Sequence, residues 1–462
     1  MVMTKGGWFV ATGVGVLVAA VGTGAFLLGR SSAPVPAVEQ ARAPSVQPEA
    51  KRDLPPRHPP AQQSGPESAG SLAPLFPSGP PAPRRQAAPG SAGNLAPLFP
   101  SGSPVAPRAA APSNVVQFDI GQRNVKALLI DGDETWVGTS GGVVRYFTKR
   151  DKYVSYDNKS GLLSNGVFYL GRFGSEVWVG TYGGGLSIFD PARDTWRNYN
   201  IPNGMADAFV YDVLKTRNGD VWIATWSGAN RVLGGRMDNI RDWALYTVEN
   251  TKGGLPNDWV YGLAEGKNGE IWVATEGGVA RFVDEKWTRW THAQGLGAPF
   301  DLVEKDIEYT SDPSKVSGHH ARQKIEMGLQ NINVAYNPNY VVSMVVDDSG
   351  AVWAGTWGGG LSRFDGRQWT TFTMRDGLPG NHVFSLEKGP DGKIWIGTSR
   401  GLTVYDGKGF KRFDATGEHG SREVFAIAFG ADKAIWIGGF GRLSWYPHTV
   451  GSVVPSPATH PR

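Results

Sequence analysis

A short core of Trp, an apolar residue, Gly or Ala, and usually Thr recurs seven times in this chain. It reads Trp-Val-Gly-Thr at Trp136 and Trp178, Trp-Ile-Ala-Thr at Trp222, and Trp-Val-Ala-Thr at Trp272. Trp-Ala-Gly-Thr at Trp353, Trp-Ile-Gly-Thr at Trp395 and Trp-Ile-Gly-Gly at Trp436 complete the series, with spacings of 42, 44, 50, 81, 42 and 41 residues. A period near 42 marks a supersecondary unit that buries its apolar face only by packing on its neighbours. Each copy follows a short alternating segment that ends in a tight-turn signal such as Asn218-Gly219, Asn268-Gly269 or Asp391-Gly392, dipeptides suited to two-residue hairpins. After the core come a Gly-rich turn, a strand such as Leu361 to Phe364, and a last strand with paired aromatics, as in Tyr153/Tyr156, Trp196/Tyr199 and Trp369/Phe372.

Four antiparallel strands per repeat spell a propeller blade. The expected fold is all-β, a single seven-bladed β-propeller over 114–448. The 81-residue interval holds an insertion at 298–338, because Leu296 closes one unit and Asn339 reopens the pattern. Residues 115–120 match an outer strand and are expected to complete the last unit, which removes an open edge. The motif tryptophans read as wedges between sheets, and Asp131, Asp133, Asp347 and Asp348 as hairpin chemistry rather than calcium ligands.

Upstream of the repeats the composition changes. After a short tail, 1–5, the 24 residues 6–29 lie uncharged between Lys5 and Arg30. A helix of that length spans about 36 Å, enough to cross a hydrocarbon core. The expectation is an N-terminal transmembrane helix acting as an uncleaved signal anchor, N-in and C-out; a signal peptide cut after Ala37 is the alternative. Residues 31–114 hold 20 of the 32 prolines, so 30–113 reads as a disordered Pro/Ala-rich linker. Within it a Leu-Ala-Pro-Leu-Phe-Pro-Ser-Gly segment occurs twice, carrying Leu72, Leu75 and Phe76, then Leu95, Leu98 and Phe99. These are either paired linear docking motifs or a tandem duplication. A disordered tail is expected at 449–462. The expected location is the bacterial inner membrane, single-pass, with the propeller in the periplasm.

The chain has no cysteine, which removes disulfides, thiol nucleophiles and Cys-ligated metals. Of its 46 Lys and Arg, nine precede residue 115, as do four of its 42 Asp and Glu. The repeat region is therefore close to electrically neutral, a poor partner for nucleic acid. No cofactor and no metal site is expected.

The Trp395 repeat, with Gly-Leu-Pro-Gly-Asn at 377–381, resembles the two-component regulator propeller repeats of extracytoplasmic sensors in hybrid two-component systems. The resemblance covers about 115–446. It implies a sensor-like propeller, without the kinase part that such sensors carry.

In a propeller the turns after each second strand share one face with the loops between units. The first residues of those turns read Ser140, Tyr182, Trp226, Glu276, Trp357, Arg400 and Phe440, and Asn165, Asn257 and Asn381 of the inter-unit loops are expected to converge nearby. Aromatic faces with a few charges suit sugars or peptides; the alternative is that these rings pack under neighbouring loops. His292, His382, His419 and the His319-His320 pair are predicted on the same face, which streptogramin lyases, also propellers, use for acid–base chemistry. The expected function is recognition of an envelope glycan, peptide or protein partner. A scaffold subunit of an envelope complex and a lyase or hydrolase are the alternatives.

Overall fold

The computed structural model describes residues 116–309, 312–315, 318–413, 423–430 and 433–446. Five four-stranded antiparallel sheets occupy 167–199, 210–246, 260–290, 337–372 and 383–413. A sixth sheet has seven strands. The long strand Val116–Asp131 pairs through its first part with Phe440–Tyr446 and through its second with Glu134–Thr139. The expected seven-bladed β-propeller is thus corrected to an all-β propeller with five separate four-stranded blades. The first and last repeats do not stand as blades of their own, because one continuous strand fuses them into a single sheet.

Residues 116–119 do pair with the last repeat, and Phe118 stacks on Trp436 with centroids 6.0 Å apart. The first strands of the units neighbour one another in chain order, and Val116–Asp131 touches both Val167–Phe173 and Ala426–Phe429. No helix among the described residues is long and apolar enough to cross a membrane. The span expected at 6–29, the linker, its duplicated motif and the tail at 449–462 lie outside the described residues.

The repeat core explains the packing. All seven motif tryptophans are buried. Trp136, Trp222, Trp272 and Trp353 sit directly opposite Arg145, Arg231, Arg281 and Arg363 on the next strand, with guanidinium carbons 4.9–5.7 Å from the indole centroids. That is cation–π geometry, and it seals each sheet face with an amphipathic stem.

The motif's small residue has a separate task. A Cβ on Gly355 would stand 2.6 Å from Val383 Cγ1 of the following unit, and one on Gly438 would strike Val125, which belongs to the first. The Gly-or-Ala position makes room for the valine that opens the next inner strand. The motif threonine closes the turn that follows it: six threonine hydroxyls donate to a glycine carbonyl three or four residues on, at 2.7–2.9 Å. Asp347 is a hairpin residue, accepting from the Ser349 and Ala351 amides and from Trp353 Nε1.

Candidate ligand-binding site

Six inner strands carry a β-bulge at the same place, one residue after the valine. The residues skipped are Lys126, Phe168, Tyr211, Tyr261, Val342 and Phe384. A bulged residue leaves the ladder and is re-aimed, and here bulged side chains of successive units meet. Lys126 Nζ lies 4.3 Å over the Phe168 ring. Phe168 contacts Tyr211 at 4.5 Å, and Tyr211 contacts Tyr261 at 4.8 Å. Farther round, Phe384 contacts Phe425 at 5.2 Å. Burial pushes the Lys126 ammonium down to about 7.

The rim residues build on this ring. Tyr182 and Trp226 are half-buried. Trp226 lies between Phe209, 4.3 Å away at 17°, and Trp259, 4.5 Å away at 5°. Tyr182 sets its edge against Phe209 and Trp226. Phe168, Tyr182, Phe209, Trp226 and Trp259 form a half-buried aromatic shelf. The Trp226 indole N–H interacts with the Tyr211 hydroxyl.

The other side of the rim is covered by the insertion, which has its own small core of Ala298, Val303 and Tyr336. Lys324 Nζ donates to Asp312 at 2.6 Å and to the Ile332 carbonyl, both within the insertion. Four of its residues reach the rim. Tyr309 stacks over Trp357 at 6.2 Å and meets the edge of His382 at 4.8 Å. Glu308 pairs with Arg400. The Ala335 carbonyl accepts from His382 Nε2 at 2.8 Å, and His320 Nδ1 lies 2.6 Å from Glu276 Oε1. Trp357 and Glu276 are buried as a result.

The remaining expected site residues are dispersed. Ser140 is exposed. Phe440 is half-buried against the central aromatic cluster. The amides of Ser140, Tyr182, Glu276 and Ser399 each bond the residue ahead of the inner-strand valine, so the position equivalent to Tyr182 in the sixth copy is Ser399, and Arg400 lies one residue farther. Asn165, Asn257 and Asn381 spend their carbonyl oxygens on loop amides, of Asn158, Trp259 and Met374. Phe168, Phe209 and Trp259 were missed, although an aromatic on either side of the inner-strand valine was a visible signal in the repeats.

Of the histidines, His382 is fully buried and burial pushes it down to about 4, which keeps the imidazole neutral. His292 Nδ1 lies 2.7 Å from the Leu296 carbonyl, inside its own loop. His419 lies outside the described residues, as does the His319 side chain. Among the described residues no group of three or more His, Asp or Glu is placed to hold a metal ion.

Residues 254–277 and 377–400 match the two component regulator propeller family. No curated protein matches the chain by sequence. Among solved structures, the extracellular domain of one hybrid two-component system of B. thetaiotaomicron matches at TM-score 0.53 and 17% identity, over 72% of this chain and 42% of that one. A second from the same organism matches at TM-score 0.53 and 17% identity, over 74% and 44%. The chain spans less than half the length of these structures. Virginiamycin B lyase from Staphylococcus aureus aligns at TM-score 0.49 and 12% identity, over 72% of this chain and 98% of the lyase, a likeness that carries no argument. In repeat and fold, the chain is a two-component-regulator-propeller-like protein.

Proposed function

We propose that this protein is an extracytoplasmic recognition module, held at the cell envelope by its N-terminal segment, whose propeller binds a peptide or glycan on the aromatic shelf. One observation carries the reading: the Phe209, Trp226 and Trp259 stack lies half-open at the end of the ring of inner strands. Half-open ring faces and edges suit ligands that have one flat apolar side. Tyr182 belongs to the same surface. Arg400 and Trp357, under the insertion, support the site from its covered side. The extracellular domains of two-component systems among the similar folds agree with an extracytoplasmic location.

The test is a thermal-shift and tryptophan-fluorescence screen of the full chain against peptidoglycan fragments, neutral oligosaccharides and short peptides. A binder is expected whose affinity falls at least about tenfold in Trp226→Ala, the scale of losing one or two ring contacts, while the circular dichroism spectrum is kept. Unchanged affinity in that variant removes the shelf from the site.

A further inference from the structure

Glu276 is the one acidic residue among the rim positions, and its side chain is only 1% exposed. A buried carboxylate needs a cationic or hydrogen-bonding partner, since an unpaired charge in the interior is strongly disfavoured. The partner comes from the insertion: His320, on the helix Gly318–Glu326, sets Nδ1 against Oε1 at 2.6 Å. The imidazole does more than pair with the acid. It meets the face of Trp259 edge-on, 5.5 Å away at 80°, and lies roughly parallel to Tyr340 at 6.4 Å and 28°. Trp259 is the terminal ring of the Phe209, Trp226 and Trp259 stack. His320 therefore ends the aromatic shelf with a nitrogen-bearing planar group on a buried acid, in a seat walled by Trp259 and Tyr340. The Tyr340 phenol is held well above its usual range, by burial first and by the Glu276 charge second, which places that charge beside the ring.

We infer that the seat filled by His320 is a subsite for an arginine side chain of a peptide ligand, which enters by displacing His320 from Glu276. Arginine fits better than the imidazole it replaces: its planar guanidinium can take both carboxylate oxygens and stack on an indole at once. The occupant in this structure comes from a helix anchored elsewhere. Lys324 of the same helix is tied to Asp312 and to the Ile332 carbonyl inside the insertion, so His320 can leave Glu276 without dismantling the insertion. The inference rests on the aromatic shelf being the binding site and adds the class of ligand and the residue it competes with.

The experiment uses calorimetry on the full chain with acetyl-Ala-Tyr-Arg-Ala-amide and its citrulline counterpart, which keeps the shape and loses the charge. His320→Ala is expected to bind the arginine peptide about tenfold tighter than the unmodified chain does, and to prefer it about tenfold over citrulline. Adding Glu276→Gln, a conservative change that keeps the volume, is expected to erase that preference. No binding of the arginine peptide to His320→Ala, with circular dichroism confirming a folded chain, overturns the inference. Equal binding of the two peptides overturns it as well. If both bind equally and Trp226→Ala abolishes both, the arginine seat falls and the shelf stands. If the preference persists and Trp226→Ala changes nothing, the seat stands and the shelf falls.

Discussion

Trp222 and Trp226 stand four residues apart, the first within the strand Val221–Thr225 and the second in the turn after it, and they do different work. Trp222 is 1% exposed, stacked on Tyr246, edge-on to Phe282 and Trp287, and faced by Arg231. Its partners come from two sheets, so it holds blades together. Trp226 is half-buried, and its neighbours are rings of inner strands and inter-unit loops. The same residue type serves packing where a repeat register places it between sheets, and surface chemistry where a turn lifts it onto the rim. Trp353 and Trp357 repeat the pattern with one change: the insertion covers Trp357, which is 4% exposed.

Four measurements test this contrast. Trp222→Ala is expected to cost about 3–5 kcal/mol, the range for deleting a large core ring, read by chemical denaturation. A cost no greater than that of Trp226→Ala would erase the distinction.

His382 sharpens it on the covered side through pH. Its imidazole is pushed from the usual 6.5 to about 4 by burial. Between those values the unfolded chain takes up a proton that the folded chain refuses, so stability falls as pH drops from about 6.5 to 4 and is complete above that window. The loss amounts to about 3 kcal/mol at about 1.4 kcal/mol per pKa unit. His382→Gln, which keeps a donor for the Ala335 carbonyl, should lose that part of the pH slope; identical slopes in the two proteins would contradict a buried neutral imidazole.

Trp226→Ala is expected to cost about 1–3 kcal/mol, from two lost ring stacks, with ligand binding hit harder than stability. The smallest effect belongs to Arg400→Ala. Its pair with Glu308 is partly exposed, with the guanidinium side chain at 35%, and such pairs contribute about 1 kcal/mol or less. A larger loss in thermal unfolding would show that the insertion is fastened mainly by that ion pair.

Much of the scaffold was legible in the repeats. The spacing of five of the motif tryptophans matches the five separate four-stranded sheets, and the helices Phe300–Val303 and Gly318–Glu326 fall in the break between Trp272 and Trp353, because a period of one supersecondary unit leaves little freedom for anything else. The pairing of residues 116–119 with the last repeat followed from a missing outer strand at the C-terminal end. What periodicity did not convey was that the strand would continue unbroken from the last repeat into the first, which turned an expected ring of separate blades into five blades and one fused sheet.

The site was legible in part. Tyr182 and Trp226 were placed on the rim from their position after the motif threonine, and the structure puts them together. Phe209 and Trp259, which complete the stack, precede the inner-strand valine and look like ordinary strand residues until a bulge turns the neighbouring side chains. Glu276 read as a rim charge open to ligand, and it is buried under His320. The 44 residues that separate that pair carry no local pattern linking them.

The repeating unit is encoded locally: Trp to wedge the sheets, Gly or Ala to admit the next unit's valine, Thr to tie the following turn. These are short-range demands of sterics and hydrogen bonding, met within one unit or between adjacent ones. Which rim residues stay open is settled over long range, because the insertion folds on its own small core and then lands on three successive units. Which half it covers depends on long-range packing and on the pairing of Glu276 with His320 and Arg400 with Glu308, contacts between distant residues that no local period encodes.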